Sequence, residues 1–533
     1  MRHRHTQLAL VTLALVAATA TASAQTANYG SVEFPNSGAP AAQAHFLQGV
    51  LALHSFMYED AAEAFREAQR IDPDFAMAYW GEAMTYDHPI WEEQDAEQGR
   101  AALKRLAASP DARLVKAGTA REQQYMRAVE ILFSDREPHA RDSAYAEQME
   151  RIHVAYPDDK EAAVLYALAL IGKHHIQQTD RTDMLRAASI AERIFSQNPR
   201  HPGAAHILIH AYDDPEHARK ALPAARAYAK IAPSAYHALH MPSHIFVQLG
   251  MWNDLVASNE AAYAASVQWA ERKGLPANRR DYHSLTWLQY GYLQQGRHAR
   301  ARAALDSVER VASLTPSPRV AVALAWMRAQ YALETRQRRA PALPGEVSEH
   351  GSVACARLPS RVIIPTAYAA GIIAARTGAP ATAETAWECL RSIEDSALGP
   401  AERAELSMAQ SQLGALIALA SRRSEDVLVF MERAVAAEKS TVPFGPTGFI
   451  PAHELYGEVL LSLARPREAA EQFELALRRT PNRAASILGR ARAAAMLRDK
   501  KNTVKYYAML ATMWQSADAD VAELPEVLRE AGT

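Results

Sequence analysis

Residues 450–483 read IPAHELYGEVLLSLARPREAAEQFELALRRTPNR, and this stretch decides the fold. Small residues stand at Gly457, Ala469 and Ala476, an aromatic at Phe473, and a proline at Pro481. Small side chains let two antiparallel helices approach closely, an aromatic ring fills the space between them, and a proline stops the second helix. The spacing therefore predicts a helix–turn–helix unit of 34 residues.

The same spacing recurs near the other end of the chain. The equivalent positions, counted from Ala42, are held by Gly49, Ala61, Phe65, Ala68 and Pro73. Both units resemble the tetratricopeptide repeat, whose period is about 34 residues. The resemblance implies an all-α, right-handed superhelical solenoid of antiparallel helix pairs. It also implies that a peptide or protein segment binds in the concave groove.

The overall charge is nearly balanced, because 58 Lys and Arg residues face 60 Asp and Glu residues in a chain of 533. No basic tract stands out. We therefore expect a protein or peptide as the partner and exclude nucleic acid and an anionic membrane surface.

The N-terminal residues have the pattern of a secretory signal peptide. Arg2 and Arg4 precede a short apolar core, Leu8–Ala18, and Ala22-Ser23-Ala24 forms a cleavage site. The apolar run is too short for a membrane span. We expect cleavage after Ala24 and a protein that is exported, periplasmic or secreted.

The repeats and their interruptions divide the rest of the chain. We expect an extended segment, two blocks of tetratricopeptide-like repeats separated by a linker rich in proline, glycine and charge, and then a loop before the last repeats and a closing helix. The corresponding ranges are 1–24 for the signal peptide, 25–41, 42–336, 337–359, 360–438, 439–450 and 451–533.

The two cysteines are Cys355 and Cys389. A disulfide between them fits an oxidising compartment and would close one loop of repeat size. Two buried free thiols are the alternative.

Histidines are concentrated in one stretch, residues 201–244, which reads HPGAAHILIHAYDDPEHARKALPAARAYAKIAPSAYHALHMPSH. It holds seven of the twenty histidines. His206 and His210 are four residues apart, as are His240 and His244, and the two pairs are offset by 34 residues. Residues four apart share a helix face, so neighbouring repeats would present matching imidazole pairs.

Imidazole is the commonest side-chain ligand of zinc and copper. These two pairs could form one site for a divalent transition metal, with Asp213 or Asp214 as a further ligand or as a partner of the ligands. Two functions then compete with the peptide-binding scaffold: a metal-dependent hydrolase or oxidase, and a metal-binding protein without chemistry. In a third interpretation the histidines only brace the repeats through hydrogen bonds.

Two features weaken the metal hypothesis. The H-E-x-x-H motif is absent, since Ile207 and Met241 follow the first histidine of each pair. Pro242 also lies between His240 and His244, and a helix that begins there would turn His240 away from His244.

Other polar and aromatic residues fall on the expected concave face, where packing or helix capping is the alternative role of each. They are His54, Trp80, Asp87, His88, His237, His283 and Trp287.

The phrases HPGAAHILIHAYDDP and HALHMPSHIFVQLGMW, together with the C-terminal repeat, resemble a group of exported bacterial tetratricopeptide proteins of unassigned function. That resemblance extends over nearly the whole mature chain and implies no catalytic residues.

Overall fold

The computed structural model describes residues 27–177, 181–339, 355, 358–394, 396, 398–440, 445–446 and 448–532, without the side chains of 174–177. The expected signal peptide, most of the expected linker 337–359 and part of the loop 439–450 lie outside the described residues.

The described chain is all-α and folds as a right-handed superhelical solenoid of antiparallel, tetratricopeptide-like helix pairs, as the sequence predicts. The helices of the first half are α1 Gln43–His54, α2 Tyr58–Ile71, α3 Ala76–Met84, α4 Ala96–Leu106, α5 Pro110–Lys116, α6 Ala120–Leu132, α7 Pro138–Ala155, α8 Lys160–Gln177, α9 Thr182–Gln197, α10 Pro202–Ala211, α11 Ala218–Ile231, α12 Tyr236–His240 and α13 Pro242–Gln248. Those of the second half are α14 Trp252–Arg272, α15 Tyr282–Gln294, α16 His298–Leu314, α17 Pro318–Glu334, α18 Ser360–Arg376, α19 Pro380–Arg391, α20 Pro400–Ala420, α21 Ser424–Lys439, α22 Ala452–Ser462, α23 Pro466–Arg479, α24 Ala484–Met496, α25 Lys500–Met513 and α26 Leu524–Ala531. A short antiparallel ladder joins β1 Asp87–His88 to β2 Glu93–Gln94.

The glycines and phenylalanines of the repeat pattern meet in the core. The buried ring of Phe65 lies against Gly49 of α1 and Gly81 of α3, and a Cβ placed at Gly81 would come within 2.3 Å of it. Phe473 lies in the same way between Gly457 and Gly489. Each ring thus fills the space between the first helices of two successive repeats, which explains why small residues recur at this position.

The solenoid winds tightly enough for distant repeats to touch. Lys273 at the end of α14 forms ion pairs of 2.6 Å with both Asp60 and Glu63 of α2. Further along, the Trp252 indole N–H donates to the carbonyl of Asn482 at 2.7 Å. These contacts bring repeats that are far apart in the sequence against one another.

Helices α12 and α13 continue one another despite Pro242. Met241, which joins them, keeps helical dihedral angles of φ −52° and ψ −35°. Proline is tolerated in the first turn of a helix, where its missing N–H has no partner to lose. His240 and His244 therefore remain on the same side of the helix, and the turn that Pro242 raised as a possibility does not occur.

Cys355 and Cys389 are joined by a disulfide, so the first of the two alternatives holds. Within the described ranges, no helix has the length and apolarity needed to cross a membrane.

Candidate metal centre

Three histidines converge at the first of two neighbouring sites. His206 and His210 project from α10 and His237 projects from α12. The Nε2 atom of His206 lies 3.1 Å from Nε2 of His210 and 3.1 Å from Nε2 of His237. Zinc–nitrogen bonds of about 2.0–2.1 Å place the nitrogens around one ion roughly 3–3.5 Å apart. This trio therefore has the spacing of a set of ligands around a single metal ion.

The second trio repeats the arrangement one helix pair later. His240 and His244 bring their Nε2 atoms to 3.1 Å from each other. His283 of α15 completes the group, whose three ligand atoms all lie within 4.8 Å of one another. The ring centroids of His240 and His283 are 4.6 Å apart.

The two trios have the same arrangement of residues along the sequence. Each consists of a pair four residues apart on the first helix of one repeat and a histidine at the second position of the first helix of the next. The sequence predicted a single site from the two pairs, and that stays a prediction; in the structure each pair groups with a third histidine, His237 or His283. The ring centroids of His206 and His237 are 5.0 Å apart and those of His240 and His283 are 4.6 Å apart. His210 and His244 contact each other across the two trios, with ring centroids 5.5 Å apart.

The hydrogen bond of His206 determines which of its nitrogens is free to bind a cation. Its Nδ1–H donates to the backbone carbonyl of His54 at 2.8 Å, because a carbonyl can only accept. Nε2 of His206 therefore carries a lone pair, which faces both His210 and His237. One ring lone pair accepts one well-aligned hydrogen bond, so hydrogen bonding explains only one of the two imidazoles that face Nε2 of His206. A cation bound among the three nitrogens would explain both contacts.

The second trio is oriented by side chains. The amide nitrogen of Asn259 donates to the Leu255 carbonyl at 2.9 Å, so its oxygen faces His240 and accepts from Nδ1–H at 2.6 Å. Nδ1 of His244 lies 2.6 Å from one carboxylate oxygen of Asp213, and the other oxygen accepts from the Gln248 amide at 2.9 Å. Carboxylate, amide and carbonyl oxygens behind a histidine are the usual partners of metal ligands.

Burial keeps these imidazoles neutral, which is the form that binds metal. It lowers the pKa of His206 to about 3 and lowers the pKa of His237, His240 and His244 well below the ordinary value, with the neighbouring imidazoles adding to the effect. Burial also raises the pKa of Asp213 well above the usual range. Loss of water around the ring lowers the pKa of His283 as well, although part of this side chain is exposed and the second trio reaches the surface there.

Aromatic rings enclose the two trios. The ring centroid of Phe56 is 4.3 Å from that of His206 and 5.3 Å from that of His237. Trp287, which sequence reasoning placed on this face, lies 4.4 Å from His244. Phe56 was not anticipated, because it lies in the turn after α1 with a φ of +53° rather than on a helix face. Such strained backbone positions often occur beside functional sites.

A third cluster has a different character. Glu161 accepts from Nε2 of His54 at 2.6 Å and from Nε2 of His201 at 3.0 Å. His201 can donate because its Nδ1 accepts from the Ala204 N–H. Burial alone would raise the pKa of Glu161, but the two imidazoles lower it below the ordinary value. This network joins α1, α8 and α10 by hydrogen bonds, and His54 meets the first trio through its backbone carbonyl. Neither Glu161 nor His201 was singled out from the sequence.

The remaining expected residues lie apart from the trios. Asp214 pairs with Arg181 at 2.5 Å and with His217 at 3.0 Å. Trp80 is in the apolar core against Phe34 and Tyr125.

The β1 strand borders a cavity of about 390 Å³ that is also lined by His54 and Phe56 and therefore adjoins the first trio. Asp87 lines it and accepts from Gln94 at 2.8 Å. His88 stacks on Tyr58 with ring centroids 4.0 Å apart. Of the residues expected on the concave face, His237, His283 and Trp287 therefore join the histidine pairs.

No protein-family model matches the sequence, and no curated protein matches it. Solved structures of similar architecture include the human IFIT1 dimer with m7Gppp-AAAA, at 10% identity and a TM-score of 0.38, covering 91% of this chain and 92% of that one. The human IFIT1 dimer with PPP-AAAA is similar at 9% identity and a TM-score of 0.39, with coverage of 90% and 91%.

These structures correct the expected partners. From the sequence we expected a protein or peptide and excluded nucleic acid, but the similar structures hold capped or triphosphate RNA. The exclusion was wrong because a net charge of −2 is an average over the whole chain and does not rule out a local basic patch. At these identities the likeness concerns the arrangement of helices and names no ligand for this chain.

Proposed function

We propose that this protein binds transition-metal ions, zinc or copper, at two tri-histidine sites on the inner face of a tetratricopeptide-like scaffold. The observation that carries the proposal is the convergence of three Nε2 atoms at 3.1 Å contacts around His206. In histidines that only brace repeats, Nε2 would be expected to bond to a carbonyl or carboxylate, as it does in His54 and His201 with Glu161. Nε2 of His206 instead faces two other imidazoles.

Each site can bind an ion and leave one of its coordination positions open. Each trio supplies three nitrogen ligands, and a tetrahedral ion then keeps one position for water or a substrate. Partners behind His206, His240 and His244 hold the rings in the ligand orientation before the ion arrives. Such preorganisation lowers the cost of binding.

The test is the metal content of the full chain purified without a histidine tag. We expect the wild type to retain zinc or copper in amounts stoichiometric with protein, and His206→Ala combined with His244→Ala to lose it. His453→Ala is the matched control, because His453 is also a buried histidine on the first helix of a repeat but bonds to Gln472. A wild-type protein that takes up neither ion on dialysis against zinc or Cu(I) would overturn the proposal.

We also propose that the protein is exported. The disulfide between Cys355 and Cys389 supports an oxidising compartment, and the signal-peptide pattern of residues 1–24 supports the route. Fractionation of expressing cells with N-terminal sequencing should find the chain outside the cytoplasm and beginning at Gln25. A cytoplasmic chain that retains Met1 would contradict export.

A further inference from the structure

We propose that the two tri-histidine sites are one dicopper centre, which binds two Cu(I) ions and reduces dioxygen by two electrons. This inference rests on the proposed metal-binding function and adds the identity of the metal, its pairing and its substrate.

The two trios lie next to each other. The ring centroids of His210 and His244, which belong to different trios, are 5.5 Å apart. Those of His237 and His240, also from different trios, are 6.1 Å apart. Two ions held by these rings would therefore be close neighbours with their ligands in contact. A small molecule could then reach both.

The charge of the ligands favours two monovalent ions over two divalent ones. The two trios supply six imidazoles and no carboxylate, and the Asp213 carboxylate lies behind His244 rather than among the ligand atoms. Coulomb repulsion between two divalent ions is about four times that between two monovalent ions at the same distance. A buried, uncharged pair of sites therefore favours the lower charge. Imidazole is also a suitable ligand for copper.

A pair of Cu(I) ions can reduce dioxygen to peroxide. Each Cu(I) can release one electron, so a pair supplies the two electrons that convert dioxygen to peroxide. The balanced step is two Cu(I), one O₂ and two protons giving two Cu(II) and one H₂O₂. The O–O bond order falls from two to one and no bond to carbon changes. Each trio leaves a coordination position open for the oxygen.

The residues around the two trios control the access of water and dioxygen to the ions. Phe56 and Trp287 cover the buried histidines with apolar surface, which limits water around the reduced ions. His283 is exposed and marks the side from which dioxygen enters. It is also the ligand whose removal disturbs packing least.

The experiment uses the tag-free full chain, reconstituted anaerobically with Cu(I) in competition with bicinchoninate. We expect about two Cu(I) per chain and, after exposure to air, about one dioxygen consumed and one peroxide formed per chain. His283→Ala should bind about half the copper and lose the two-electron reaction, while His453→Ala should match the wild type. Binding of Ag(I), which does not react with oxygen, checks the stoichiometry independently of activity.

The other outcomes are distinguishable. One copper per chain, or two coppers whose oxygen consumption per copper is unchanged by His283→Ala, would overturn the pairing and leave metal binding intact. Retention of zinc against excess Cu(I) would overturn the choice of metal. No uptake of any of these ions would overturn both this inference and the proposed function.

Discussion

Replacing Asp213 with asparagine tests the carboxylate behind the second trio. Its oxygen lies 2.6 Å from Nδ1 of His244, and the ligand nitrogen of that ring is at the other end. Loss of a carboxylate partner typically weakens metal affinity about 10–100-fold, which corresponds to about 1.4–2.7 kcal/mol. We therefore expect Asp213→Asn to raise the Kd for Zn²⁺ by that factor, measured by competition with a chromogenic chelator in the tag-free full chain.

The same change should have little effect on the metal-free protein. Burial raises the pKa of Asp213, so ionising it is costly without a cation nearby, and a neutral amide of the same shape avoids that cost. Urea unfolding of the metal-free variant should give a free energy equal to or slightly above that of the wild type. The substitution should thus weaken metal binding without weakening the metal-free fold.

Asp214→Asn is the matched control, because the adjacent carboxylate pairs with Arg181 and His217 instead. It should lower stability without changing the Kd for Zn²⁺. An unchanged Kd in Asp213→Asn, or equal losses of affinity in both variants, would refute the role assigned to Asp213.

Three further changes test the fold. Gly81→Ala pushes a methyl group into the Phe65 ring, and we expect about 1–3 kcal/mol of destabilisation in urea, beyond the helix preference of alanine. Burial raises the pKa of Asp87 from 3.8 to about 6, so its carboxyl contributes stability at low pH that is lost as pH rises through this range. Asp87→Asn should therefore stabilise the protein by about 3 kcal/mol at pH 7 but not below pH 4, and equal effects at both pH values would contradict this. Cys389→Ser opens a disulfide that links residues 34 apart, so it should cost about 3–4 kcal/mol, and the wild type under reducing conditions should show the same loss.

Local sequence rules were sufficient for the fold. Phe473 and Gly457 are related by a spacing that requires close helix packing, and the structure shows the ring against the glycine. The histidine pairs were equally visible, because residues four apart share a face of any helix.

The division of the site into two trios was not predictable from spacing alone. It depends on where the first turns of α12 and α15 come to lie against the preceding helix, which is set by the superhelical winding. His206 illustrates this: its partner is the backbone carbonyl of His54, 152 residues away. Phe56 reaches the site from a turn, and no periodicity marks such a residue.

Each trio takes its third histidine from the repeat that follows, His237 in the first and His283 in the second. An ion at either site would therefore join two successive repeats, adding to the interface between neighbours on which a solenoid's stability depends. The central repeats of the solenoid would then be more rigid than the terminal repeats. The arrangement is also extensible: duplicating the unit that carries both a pair and a second-position histidine would complete one site and begin the next, so ion capacity would grow with repeat number.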